Sequence, residues 1–184
     1  MRQFGRRHLL RVVAGTLVGL AVPGRAMAAP ATGSIFGWAW LDEVRKVIMS
    51  VREQDMAALG AIVAGTVGED AAAICEAAMA AMQDYEPALT ALIRQQREVI
   101  RSSNPYTAAA QSTNLTRVNT ALIELVYGVQ FSLIEAAHAA RVGHGTAYLR
   151  EVYETAERDH AYRAMERLYN VCAGSFDARP IRLT

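Results

Sequence analysis

The chain has 184 residues, 52% of them hydrophobic and 20% charged, with a formal net charge of +1. Residues 1–28 hold five arginines and no acid, so without them 14 basic residues (19 minus 5) face 18 acidic ones, a charge of −4. That mildly acidic balance argues against nucleic acid as a partner, because such binding rests on basic side chains neutralising phosphates.

Residues 1–28 read as a cleavable signal peptide. Arg2, Arg6, Arg7 and Arg11 form a basic start, Leu9 to Val22 a modestly apolar stretch, and Ala26-Met27-Ala28 a small-x-small cleavage site. The apolar stretch falls short of the roughly 20 residues that span a bilayer. Cleavage is expected after Ala28, since cutting one residue later would leave Pro30 first. The segment Gly5-Arg6-Arg7-His8-Leu9-Leu10-Arg11 resembles the twin-arginine export signal. Gly15 and Gly19 weaken the apolar core, and Arg25 sits near the cleavage site, as in that class. The resemblance implies a periplasmic destination reached in the folded state. The mature chain, residues 29–184, is long enough for one domain with its own core and carries no transmembrane span in this reading.

Nearly everything after Ile35 is helical by period and composition. The first predicted helix runs from about Gly37 to Ala64, with Leu41, Val44, Ile48, Val51, Leu59 and Ile62 on one face. Asp55 falls on that same face, so it is either buried with a partner or caps a new start. A second helical stretch, Asp70 to about Arg101, keeps one phase through Ile74, Ala78, Met82, Tyr85, Leu89, Leu92, Gln96 and Val99. Pro87 interrupts it, which predicts a kink or two nearly collinear pieces. Ser102-Ser103-Asn104-Pro105 reads as a stop and the polar run to Thr113 as a loop.

A third helix, capped by Thr113 or Asn114, extends to about Val142 with a seam at Leu115, Val118, Leu122, Leu125, Val126, Val129, Leu133 and Ala137. Gly143-His144-Gly145 is a tight turn into a fourth helix, Thr146 to Cys172. Its apolar face changes direction: Leu149, Val152, Tyr153 and Ala156 lie largely opposite Ala161, Met165, Leu168 and Cys172. A bend is therefore expected midway. The domain ends near Gly174, and residues 175–184 are read as an extended, mobile tail. The fold class is all-α, an up-down bundle of about four long helices after the signal peptide.

Cys75 and Cys172 are the only cysteines, and an oxidising compartment makes a disulfide between them the expected state. Such a bridge would close nearly 100 residues, worth about 4–5 kcal/mol in the chain-entropy account. Thioredoxin and c-type haem motifs do not occur, nor does Gly-x-Ser-x-Gly or a phosphate-cradling loop, and no catalytic residues are assigned.

Two Glu-x-x-His pairs, Glu135/His138 and Glu157/His160, resemble the di-iron carboxylate pattern of ferritin-like bundles. The resemblance implies a metal ion held by these four residues. The geometry runs against it: with the two helices antiparallel about His144, the pairs sit roughly seven residues apart along the axis, about 10 Å. Glu135 also points away from the seam of its own helix. His160, in contrast, continues the apolar face of Val152 and Tyr153, where it reads as a core histidine. No cofactor is predicted, and a metal ion remains the alternative. Tyr127 and Phe131, followed by Ile134 and His138, form a second apolar stripe, and Trp38 and Trp40 lie close to the mature N-terminus. These four aromatic residues are the candidate partner-binding groups. The expected function is an exported, non-catalytic binding or accessory subunit, or an assembly factor, acting on another periplasmic or envelope protein. The alternatives are a metal-binding ferritin-like bundle and a component of a secretion or conjugation apparatus.

Overall fold

The computed structural model describes residues 33–103 and 105–184. The expected signal peptide and its expected cleavage site after Ala28 lie outside the described residues. Six helical segments follow one another: α1 (Gly33–Val63), α2 (Gly68–Gln83), α3 (Tyr85–Ser102), α4 (Pro105–Arg141), α5 (Thr146–Tyr153) and α6 (Ala156–Ser175). The class is all-helical, but two of the four expected long helices are broken.

Helix α1 is continuous through Asp55, which is buried rather than a cap. Gly65, at φ 95°, ends the segment: the N–H of Thr66 donates to Ala61 O and that of Gly65 to Ile62 O, satisfying two terminal carbonyls. Gly143, at φ 88°, ends α4 in the same way through Ala139 and Ala140. The break between α2 and α3 falls at Asp84, which keeps helical dihedrals (φ −69°, ψ −9°). Proline at 87 lacks the N–H that would bond the Gln83 carbonyl, and its ring crowds that carbonyl, so the ladder fails there. Ala78 and Met82 before the break and Leu89, Leu92, Gln96 and Val99 after it are all buried, so the phase survives.

Helix α4 begins at Pro105, so the loop expected up to Thr113 is helix instead. Proline is pre-set for the first helical position, and Ala108-Ala109-Ala110 carries the helix onward. α4 packs against all five other helices, and its predicted seam, Leu115 to Ala137, is buried throughout. Its stretch Ala108–Arg141 is also long and apolar enough to cross a membrane by length and composition, and half of that window is buried in the core. The apolarity of α4 thus has a structural use at the centre of the molecule.

The fourth expected helix breaks at Glu154 and Thr155. Thr155 caps α6, its side-chain oxygen accepting the Arg158 N–H at 3.2 Å, and Glu157 and Asp159 favour the first turn. The break rotates α6 relative to α5. As a result His160 is exposed, and the core histidine expected there is not found; Arg158, Tyr162, Met165, Tyr169 and Cys172 are buried in its stead.

The tail is docked, which corrects the expectation of mobility. Asp177 adopts φ 54°, a left-handed conformation that Asp tolerates, and Ala178 N–H closes back on Ala173 O at 2.8 Å. The chain therefore reverses along α6. Asn170 donates to Ile181 O (2.9 Å) and accepts its N–H (2.8 Å), while Glu166 accepts the N–H groups of Leu183 (2.5 Å) and Thr184 (3.1 Å). Arg52 of α1 donates to Arg182 O at 3.0 Å, and Ile181 and Leu183 are buried. At the C-terminal end of α6, just before that turn, Phe176 packs onto Gly37, where a β-carbon would lie 2.2 Å from the ring. Only glycine admits that contact.

Candidate functional site

The most developed polar constellation is buried and was not anticipated as a unit. Asp55, fully inaccessible on α1, accepts hydrogen bonds from Tyr153 Oη (2.6 Å), Arg158 Nε (3.1 Å), Arg158 Nη2 (2.5 Å) and Tyr162 Oη (2.7 Å). The Tyr153 hydroxyl also reaches the Asp55 backbone carbonyl at 3.0 Å. The Arg158 guanidinium lies 5.3 Å from the centre of each tyrosine ring, a cation held between two aromatic faces.

These donors converge because of the helix break. On a continuous helix, at about 100° per residue, Tyr153 would point some 140° away from Arg158 and 180° from Tyr162. Ending α5 at Tyr153 and restarting at Ala156 brings all three onto one carboxylate. Burial pushes the Tyr153 and Tyr162 phenols far above their usual range, and the Asp55 charge adds to the shift. Burial works against the Arg158 charge, but the Asp55 hydrogen bonds and charge outweigh it and raise its pKa.

A carboxylate offers about four acceptor positions. All four are taken. Neither phenol ionises near neutral pH and the guanidinium stays charged, and their hydrogen bonds to Asp55 hold α1 to α5 and α6. A cleft of about 330 Å³ opens beside it, bordered by Arg52, Met56, Arg163, Asp159 and the tail residues Leu183 and Thr184.

The predicted site residues are dispersed. Cys75 and Cys172 are both buried and both free, so the expected disulfide is not formed. Their helices, α2 and α6, each pack on α4 and α1 but not on each other. Burial pushes both thiols up to about 11. Glu135 and His138 are exposed on α4, and Glu157 and His160 are exposed on α6. Among the described residues no group of three His, Cys, Asp or Glu side chains is arranged to hold a metal.

Of the aromatic candidates, Trp40 is a correction. It is 1% exposed, and its indole N–H donates to the Leu92 carbonyl at 2.9 Å, which ties α1 to α3. Trp38 is half exposed. Tyr127 and Phe131 are partly buried, and burial followed by the Glu86 charge raises the Tyr127 phenol. Beyond them on the same face of α4, Ile134 and His138 are exposed, as is Val142 in the turn that follows the helix.

The Asp55 cluster had one legible signal, an acid on an apolar face. Its partners were hidden because helical periodicity sends Tyr153 and Arg158 to different sides. The Thr155 cap followed by Glu157 and Asp159 could have revealed the break. Comparison with family models, with curated proteins and with solved structures returned no match to the chain.

Proposed function

We propose that the chain is exported by its twin-arginine-like signal, cleaved after Ala28, and serves in the periplasm as a non-catalytic binding or accessory subunit. Its fold in this reading is an up-down bundle in which α2–α3 and α5–α6 each act as one broken arm. The partner is another envelope protein. The observation that supports it is the second apolar face of α4. That helix already buries one face against every neighbour, yet Tyr127, Phe131, Ile134 and His138 form a separate strip toward its C-terminus, and Val142 follows in the turn beyond it. Ile134 is 48% exposed and Val142 62% exposed. Aligned, exposed aliphatic groups of this size are what a docking partner covers.

The test is site-specific photo-crosslinking in the envelope. A photoreactive residue at Ile134 should give one discrete adduct with a heavier protein, and the same residue at exposed Glu98 should not. No adduct at Ile134, or equal labelling at both positions, would remove the reading.

A further inference from the structure

Residues 181–184 reveal what the surface between α1 and α6 accepts. Asn170 holds both backbone polar atoms of Ile181, Glu166 takes the successive N–H groups of Leu183 and Thr184, and Arg52 donates to the Arg182 carbonyl. These bonds go to main-chain atoms, and one further contact, Thr184 Oγ1 to Glu166 at 3.3 Å, involves a side chain of the tail. Ile181 and Leu183 are buried while Arg182 and Thr184 are exposed, the alternation of an extended chain. Fixed polar groups reading the backbone, with pockets for alternate side chains, are the means by which surfaces bind extended peptides.

The groove outlasts its occupant. From Ile181 to Leu183 the tail advances two residues, about 6.6 Å of extended chain, while its anchors step from Asn170 to Glu166, about 6 Å of helix. One more such step along α6 arrives at Tyr162 and Arg163. There the surface opens into the cleft of about 330 Å³ that Leu183 and Thr184 border. Arg52, Arg158 and Arg163 border it too, against the acids Asp55 and Asp159. Arg158 is engaged by Asp55 and, at 3.4 Å, by Asp159. Arg52 and Arg163 make no ion pair among the described residues. The open end of the groove is therefore positive.

We propose that this groove binds an extended segment of a partner protein, apolar at two alternate positions and acidic two residues after the second. The chain's own tail is then a partial occupant that the segment displaces. The tail makes the same backbone bonds and has the advantage of being tethered beside its site. A partner segment gains what the tail lacks, a carboxylate beside Arg52 and Arg163, in a charge-assisted contact. The groove lies on α1 and α6, so cross-linking at Ile134 of α4 and peptide binding here test different surfaces.

The probes are fluorescein-labelled, amidated peptides with the sequence of residues 178–184 followed by one Glu, Gln or Lys. The receptor is the full chain carrying Ile181→Glu and Leu183→Glu, whose charged tail no longer fits its pockets. Circular-dichroism melting reports whether that variant is folded. The Glu peptide should bind about tenfold or more tighter than the Lys peptide, and Arg163→Ala in the same background should remove the difference. Asn170→Ala should weaken all three peptides by about tenfold or more. The wild-type chain should bind the Glu peptide more weakly than the open variant, because its tail must leave first. Amide exchange at Leu183 and Thr184 of the wild type should accelerate at saturating peptide, a readout that does not depend on the variant's folding. A folded variant that binds none of the peptides would overturn the proposal. So would equal affinity for the Glu and Lys peptides, or a bound peptide that leaves the wild-type tail amides protected. A wild-type dimer that Ile181→Glu with Leu183→Glu dissolves would make the tail of a second copy the occupant, and would overturn it equally.

Discussion

Removing the Asp55 carboxylate would leave Arg158 charged inside the core, between two phenols and without an anion. Breaking one side of a buried, hydrogen-bonded ion pair costs about 3–5 kcal/mol, well above the 0–1 kcal/mol of an exposed pair. Lys46 with Asp42 and Arg150 with Glu154 are such exposed pairs. Asp55→Ala is therefore expected to lower the urea unfolding free energy by about 3–5 kcal/mol, against under about 1 kcal/mol for Glu154→Ala. A loss at Asp55 no larger than at Glu154 would mean that the four hydrogen bonds do not bind the helices together. At this scale the sequence speaks unevenly. Asp55 on an apolar face announces a buried charge, yet nothing local identifies its counter-ion 103 residues away. Trp40 shows the same limit: its acceptor, Leu92 O, is 52 residues distant, so a tryptophan in the first turns of α1 reads equally well as surface or as core.

Elements were legible where one physical rule dominates. The seam of α4 follows from 3.6-residue periodicity alone, and every residue assigned to it is buried. Proline chemistry marks the α2–α3 break for a similarly local reason. The start of α4 was missed because Ser, Thr and Gln beyond the alanines read as loop, although Pro105 favours a helical start. The tail was missed for a different cause. Its anchors are side chains on α6, Asn170 and Glu166, at separations of 11 and 17 residues, reached only after Asp177 turns the chain back. That docking carries a pH dependence. The N–H groups of Leu183 and Thr184 hold Glu166 below its usual value of 4.5, despite the opposing effect of partial desolvation. A carboxylate depressed in the folded state contributes fully above 4.5, and its contribution fades as pH falls through the lowered value. Amide exchange at Leu183 and Thr184 should therefore accelerate in acid below pH 4.5, beyond its intrinsic trend. Glu166→Gln, which still accepts but does not ionise, should flatten that dependence. Protection at both amides that tracks intrinsic exchange down to full protonation would show that the tail is held without Glu166.

At the scale of the whole molecule, composition and period yield the all-helical class but not which helices touch. The expected disulfide failed at this level, because α2 and α6 occupy different sides of α4 and α1 and keep Cys75 and Cys172 apart. Two free thiols bear on the proposed export route. A chain that reaches an oxidising compartment unfolded exposes both thiols to oxidation and to pairing with other proteins. One that crosses already folded arrives with both buried and with thiol pKa values near 11, where little reactive thiolate exists at neutral pH. The Arg6-Arg7 pair, the weak apolar core and Arg25 favour the folded route on independent grounds. Changing Arg6 and Arg7 together to Lys should hold the precursor in the cytoplasm, with residues 1–28 still attached. The wild-type chain should appear in the periplasm beginning at Ala29, both cysteines alkylated only after denaturation. Undiminished export of the Lys–Lys variant would reject the twin-arginine route while leaving the cleavage at Ala28 to stand. A wild-type chain whose thiols are already oxidised in the periplasm would sever the link between folded export and the buried cysteines.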